Sequence, residues 1–171
     1  MSNQQFKQDL EAARDAELLV LQLLAGATDA FDFHWVGDNP TYYHKGDIVA
    51  VNKINGNQLF IEVKDDSRIF ETENVLCEEE VEFFDYDYTR KGNMYNEFDV
   101  YVVVSKQQRA IFCIDGKVLK ANYKHGKRKY IPHKTQATDA YLLPLSVIEA
   151  EGGLLAVIEY DLESRRAWIA A

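Results

Sequence analysis

Hydrophobic and polar positions change their period several times along the chain, and each change marks an element. Phe6, Leu10, Ala13, Val20, Leu21 and Leu24 recur at helical spacing, which predicts one helix over residues 4–25, with Gly26 as its stop. Residues 27–45 read as a loop anchored by Phe31, Phe33, Trp35, Tyr42 and Tyr43. Two strand-like runs follow, 46–51 and 59–64, joined by Asn55-Gly56-Asn57, a strong hairpin signal between apolar runs. Residues 65–83 are polar and acidic and predict a loop that continues as helix or strand. Tyr86, Tyr88 and Arg90-Lys91-Gly92 suggest an exposed segment. The β-branched and aromatic runs 98–104 and 110–114 predict buried central strands. Residues 141–145 predict a short or edge strand, because Pro144 cannot donate a ladder bond. A helical turn at 147–150 and a strand at 154–160 follow, and the last ten residues are unassigned. The sum is an α/β (α+β) pattern: one mixed central sheet flanked by helices, in a single domain.

Side chains alternate across a strand, so residues two apart share a face. Leu59, Ile61 and Val63 therefore point one way, and Glu62 and Lys64 the other. In an antiparallel hairpin the start of one strand lies beside the end of its partner, which brings Asp47 next to Glu62 and Lys64. Glu17 falls on the apolar stripe of the N-terminal helix with its charge inward, an expensive placement unless it is paired or bound to a cation. Two acids and an ammonium at one end of a hairpin are suited to holding a divalent metal and steadying a phosphate.

Bulk numbers narrow the setting. At 171 residues and 47% hydrophobic, the chain suits one globular domain with a real core. No apolar run reaches about 18 residues, which predicts no membrane span. The first residues lack a charged-then-apolar leader pattern, so the expected location is the cytoplasm. Cys77 and Cys113 have no CxxC spacing and read as reduced, space-filling thiols. The net charge of −9 argues against indiscriminate polyanion binding, but seven of the 19 Lys and Arg fall at Lys117, Lys120, Lys124, Lys127, Arg128, Lys129 and Lys134 with no acid between them. Tyr123 and Tyr130 interleave with these charges. Such a strip on an acidic body is compatible with a nucleic-acid backbone, and equally with a solvated charged loop. His34, His44 and His133 have no Ser or Cys nucleophile motif near them.

A helix bearing a Glu, an Asp opening a strand, and Glu-x-Lys on the next strand resemble the PD-(D/E)xK, or restriction-endonuclease-like, nuclease superfamily, in particular its small phage-type and bacterial members. The motif here reads Gly46-Asp47, fourteen residues, then Glu62-Val63-Lys64, with Gly46 in place of the usual proline. Asp65-Asp66-Ser67-Arg68 with Thr72-Glu73-Asn74-Val75-Leu76-Cys77-Glu78 is similar to a stretch that follows the Lys in that family. Lys91-Gly92-Asn93-Met94-Tyr95 before residues 99–101 is similar to a later one. The resemblance covers roughly residues 10–115.

It implies a Mg²⁺- or Mn²⁺-dependent deoxyribonuclease, with RNA also open as substrate and a homodimer as one arrangement. Asp47, Glu62, Glu17 and the Val63 carbonyl would hold the metal, and Lys64 would be the catalytic cation that orients the attacking water or steadies the scissile phosphate. Asn74, Glu78, Arg68, Lys91, Lys124, Lys127, Arg128 and Lys129 would meet substrate. The acids at Glu78, Glu79, Glu80 and Glu82 depart from that picture, since they would repel DNA near a cleft. The alternative is the same fold without chemistry, a catalytically silent module that binds nucleic acid or protein.

Overall fold

A computed structural model of the chain describes residues 3–84, 87–132, 136–161 and 166–170; for 3–10 and 166–170 only the backbone is described. Tyr86, His133 and Lys134, named above, lie outside the described residues, as do the side chains of Phe6 and Leu10.

The expected N-terminal helix is α1, Asn3–Ala27. It runs through Gly26 rather than stopping there. Its buried stripe is carried by Ala16 and Val20, with Leu19, Leu23 and Leu24 packed beside them, while Ala13 is exposed. The loop expected at 27–45 contains a strand, β1 (Phe31–Trp35), whose half-buried phenylalanines and exposed Asp32 alternate as an edge strand's should. β2 (Ile48–Asn52) and β3 (Gln58–Asp65) form the expected hairpin. Asn52 Oδ1 accepts from the Ile54 and Asn55 amides and so closes the turn. A short helix α2 (Ile69–Thr72) leads to β4 (Asn74–Phe83), then β5 (Tyr88–Lys91), β6 (Val100–Ser105) and β7 (Ala110–Asp115). Helix α3 (Gly116–Asn122), capped by the Asp115 carboxylate, opens the basic region, which continues into β8 (Lys127–Pro132). β9 (Gln136–Pro144), α4 (Leu145–Ala150), β10 (Leu154–Asp161) and β11 (Arg166–Ala170) complete the chain.

The strands do not share one sheet. A seven-stranded mixed sheet has the order β1-β2-β3-β6-β7-β10-β11, and a four-stranded antiparallel sheet has the order β5-β4-β9-β8. The segment 141–145 is thus the end of an interior strand of the second sheet, and Pro144 is tolerated because it is that strand's last residue. In the seven-stranded sheet β3 and β6 are the parallel neighbours, a pairing that requires a long crossover. Here the crossover carries α2, β4 and β5.

One face of the large sheet, with Ile48, Ala50, Ile61, Val63, Val102 and Val104, packs against α1. The other, with Tyr101, Val103, Phe112 and Ile114, packs against α2, α3, α4 and the second sheet through Ile69, Val75, Leu119, Leu143 and Ile148. Cys77 and Cys113 are free and buried, one in each core. Among the described residues no helix is long and apolar enough to cross a membrane.

Candidate functional site

Strand β3 lies inside the sheet between β2 and β6, so Glu62 and Lys64 are not on an exposed edge. Ile61 and Val63 turn to the α1 core, as alternation demands, and Leu59 remains largely exposed near the turn. Glu62 and Lys64 turn to the other face, where their parallel partners are Tyr101 and Val103. Ile48 pairs with Ile61, and continuing that register sets Asp47 opposite Glu62. Two bonds fix it there: the Asp47 amide donates to Ile61 O at 2.9 Å, and the Val63 amide donates to Asp47 Oδ2 at 2.8 Å.

Gly46 explains why no proline precedes this aspartate. Its φ of +133° lies far from the −65° that proline requires, and a Cβ there would meet Ile61 O at 2.6 Å. Trp35 pairs with Ile48 across β1 and β2, and its indole N–H donates to Glu17 Oε2 at 2.6 Å. In this way the helix brings Glu17 to the same sheet end as Asp47.

The electrostatics are those of crowded acids. Burial, and next the Asp47 carboxylate, push Glu17 up to about 7 against the opposing Trp35 bond. Burial and then Asp47 push Glu62 up to about 7 as well, against Lys64 and an Asn96 Nδ2 bond of 3.2 Å. Asp47 is itself raised by burial, with the Val63 amide and Lys64 opposing. Burial alone would lower Lys64; Glu78, Glu62 and Asp47 together outweigh it and raise it. Glu17, Asp47, Glu62 and Lys64 therefore all act on one another or on a shared neighbour.

They do not form a ready-made cage: among the described residues no three His, Cys, Asp or Glu side chains converge as metal ligands. Asp47 spends one oxygen on Val63, and Glu17 spends one on Trp35. What remains suits a cation that keeps most of its own waters. Mg²⁺ is such an ion, bound through one or two carboxylates with the remaining positions hydrated. The carboxylates of Glu17, Asp47, Glu62 and Glu78 all interact with the Lys64 ammonium, and Lys120 is a second, more distant cation acting on Glu62, so acids outnumber cations and added positive charge is favoured. The donor set fits a hydrated divalent cation on Asp47 and Glu62.

The residues predicted to meet substrate separate into two groups. Lys64, Arg68, Asn74, Glu78 and Lys129 line one cleft of 630 Å³ between the two sheets. Glu78 holds Lys64 Nζ at 3.3 Å, an ion pair absent from the sequence reading because nothing local pairs β4 with β3. Lys91, Lys124 and Arg128 lie elsewhere, each tied to an acid. Lys91 pairs with Glu80 at 3.0 Å, Lys124 with Glu79 at 3.1 Å, and Arg128 Nε with Asp139 at 3.0 Å. Lys127 is exposed on the edge strand β8.

The acidic run of β4 is thereby met from three elements, Lys64 of β3 on Glu78, Lys124 of the turn before β8 on Glu79 and Lys91 of β5 on Glu80, while Tyr130 O–H donates to Glu82 at 3.2 Å. Lys120 of the basic strip turns inward, over the Phe98 ring and onto Phe98 O. Residues that sequence reasoning missed are Trp35, Asn96 and Asn93. Asn93 Oδ1 accepts from the Glu78 amide and its Nδ2 donates to the buried Tyr101 hydroxyl, which locks β4 behind Lys64.

No family model matches the chain, and no curated protein matches it. Among solved structures it is similar to the bacterial homing endonuclease I-Ssp6803I, at 13% identity and a TM-score of 0.44 over 74% of each chain. A likeness that loose has no bearing on chemistry.

Proposed function

We propose that the protein is a metal-dependent nuclease of the PD-(D/E)xK type that hydrolyses phosphodiester bonds of DNA. The observation that carries this reading is the β2–β3 register, which opposes Asp47 to Glu62 with Lys64 on the same face and an excess of buried carboxylate around it. Asp47, Glu62 and the Val63 main-chain carbonyl would hold Mg²⁺ or Mn²⁺. Bound there, such an ion would lower the pKa of an attacking water and offset charge in the transition state.

The chain's own groups do the rest. Lys64, kept protonated by its acidic neighbours, orients the water or meets the scissile phosphate as a point charge. To do so it leaves or shares Glu78. Glu17 stays near Asp47 through its Trp35 bond and adds negative charge that favours a second cation or a water bridge.

Supercoiled, linear, single-stranded and branched DNA, and RNA, incubated with Mg²⁺ or Mn²⁺ beside Lys64→Ala and Asp47→Asn, test the proposal. Cleavage by the wild type is expected to vanish in both variants, with the melt of Asp47→Asn close to it and that of Lys64→Ala lowered, because Glu62 and Glu78 lose their cation, but still a cooperative folded transition. In Asp47→Asn the side-chain amide oxygen can still accept from the Val63 amide. Cleavage that survives excess EDTA, or both substitutions, overturns the mechanism.

The Lys64–Glu78 pair and the absence of a three-acid cage among the described residues favour one other reading, a catalytically silent binding module. It is the one to adopt if Mn²⁺ gives neither calorimetric heat nor a melting shift.

A further inference from the structure

We infer that the cleft between the two sheets receives an unpaired nucleotide, so that the substrate is single-stranded or locally opened nucleic acid rather than intact duplex. The inference rests on the nuclease reading for what happens to the strand, but not for how the strand is held. The first observation is which cations are uncommitted. Arg14, Lys53, Lys91, Lys106, Lys124 and Arg128 all have an acid within ion-pair distance, and of the cations without one among the described residues, Lys45, Arg90, Lys117, Lys120 and Lys127 lie away from the cleft. Arg68 and Lys129 are exposed, make no ion pair among the described residues, and both line the cleft, one from each sheet's side.

The second observation is that the acids of the cleft are already engaged. Asp65 holds Lys106 at 2.9 Å, Glu78 holds Lys64, and Asp66 Oδ1 accepts from the Arg68 amide at 2.9 Å. With Lys64 offset by Glu78 and Asp65 by Lys106, Arg68 and Lys129 stand against the one remaining carboxylate, Asp66, so the balance facing the cleft is a single positive charge although the protein is acidic. The third is the lining between those cations. Leu76, Leu142 and Ile131 give apolar surface, and Gln136 and Thr138 set polar groups beside it. Cations for phosphates, an apolar bed for a base and amide and hydroxyl groups for its edge are the requirements of a nucleotide.

Size and shape select the unpaired form. A volume of 630 Å³ lies in the range of about 300–1,000 Å³ typical of small-molecule sites. Duplex is read by an element that protrudes into a groove, whereas a concave site takes a base only after it has left the stack. Lys64 opens into the same cleft, so a strand seated there carries its phosphate to the Asp47–Glu62 end.

Fluorescence anisotropy in EDTA, where no metal-dependent cleavage occurs, tests this with labelled oligothymidylate, oligouridylate and a DNA duplex of matched length. Either single strand is expected to bind several-fold tighter than duplex, and the two arms tell DNA from RNA. Lys129→Ala and Arg68→Ala should each weaken single-strand binding and reduce the slope of log K against log salt by about 0.7. Lys53→Ala, which removes one charge at the hairpin tip, should change neither.

Duplex binding as tight as single-strand binding overturns the inference, as does an equal loss in Lys53→Ala. Single-strand binding that depends on Lys129 but comes with no cleavage under any metal would defeat the nuclease reading and leave this one standing. Metal-dependent cleavage with binding indifferent to Lys129 and Arg68 would do the reverse.

Discussion

Glu62 carries its carboxyl where burial and Asp47 both favour the proton, and that has a stability consequence with a definite sign. A carboxyl whose folded pKa is raised, here to about 7 from 4.5, binds more protons in the folded state than in the unfolded state between those values. Stability therefore falls as pH rises through that window and is flat below it. Glu62→Gln removes the penalty while keeping an oxygen for Asn96. It is expected to raise stability at pH 8 by about 2 kcal/mol and to leave it nearly unchanged at pH 4, as read from urea unfolding at both pH values. Mg²⁺ should erase the difference at pH 8 if Glu62 is its ligand. At Gly46 the direction is opposite. A Cβ at φ +133° and 2.6 Å from Ile61 O has no room, so Gly46→Ala should cost about 2 kcal/mol or more and, on the nuclease proposal, lower cleavage by displacing Asp47.

Strand β4 decides how Lys64 is held. Its register slips between Glu78 and Glu80, a bulge of the kind that re-aims side chains beside functional sites. The bulge is clamped from behind by Gly92, whose missing Cβ would lie 2.2 Å from Glu78 O, and by the Asn93–Tyr101 pair. Gly92→Ala meets backbone that cannot step aside and should cost about 3 kcal/mol. Tyr101→Phe strands Asn93 Nδ2 and Leu76 O, which accepts from the Tyr101 hydroxyl, and should cost about 1–3 kcal/mol in chemical denaturation.

Legibility followed locality at this scale. The β2–β3 hairpin could be read because Asn55-Gly56 and period-two alternation are contiguous signals. Phe31-Asp32-Phe33-His34-Trp35 carries the same alternation, yet its aromatics read as loop anchors because the partner that makes it a strand, β2, comes later. Glu78-Glu79-Glu80 lies in a polar, acidic stretch whose pattern left helix and strand open. Its strand pairing is with β9 and β5, and its acids are met by Lys64 of β3, Lys91 of β5 and Lys124 of the turn at Tyr123–His125, none adjacent in sequence.

Across the whole molecule, charge that looked separated in the sequence is interleaved in space. The basic strip is divided among α3, the turn after it and β8, with Lys120 turned inward, Lys124 tied to Glu79 and Arg128 to Asp139, so it is not the uniform polyanion track its composition suggested. Exposed ion pairs of this kind contribute about 0–1 kcal/mol each and weaken in salt. Raising NaCl should therefore shift the melting midpoint little, while the single-strand binding proposed above should weaken. Glu17 was legible as a misplaced acid on an apolar stripe, and Asp47 with Glu62 as neighbours across a hairpin. The partner of Lys64 was not, because Glu78 reaches it from a second sheet that no local pattern announces.

The parallel β3–β6 pair has one more effect. The chain leaves the large sheet after Asp65 to build β4 and β5 of the small one, returns for β6 and β7, and departs again for β8 and β9 before β10 and β11 complete the large sheet. The two layers are woven from alternating stretches of a single thread. No cut in the chain releases one of them whole, and calorimetry should record their loss as one event.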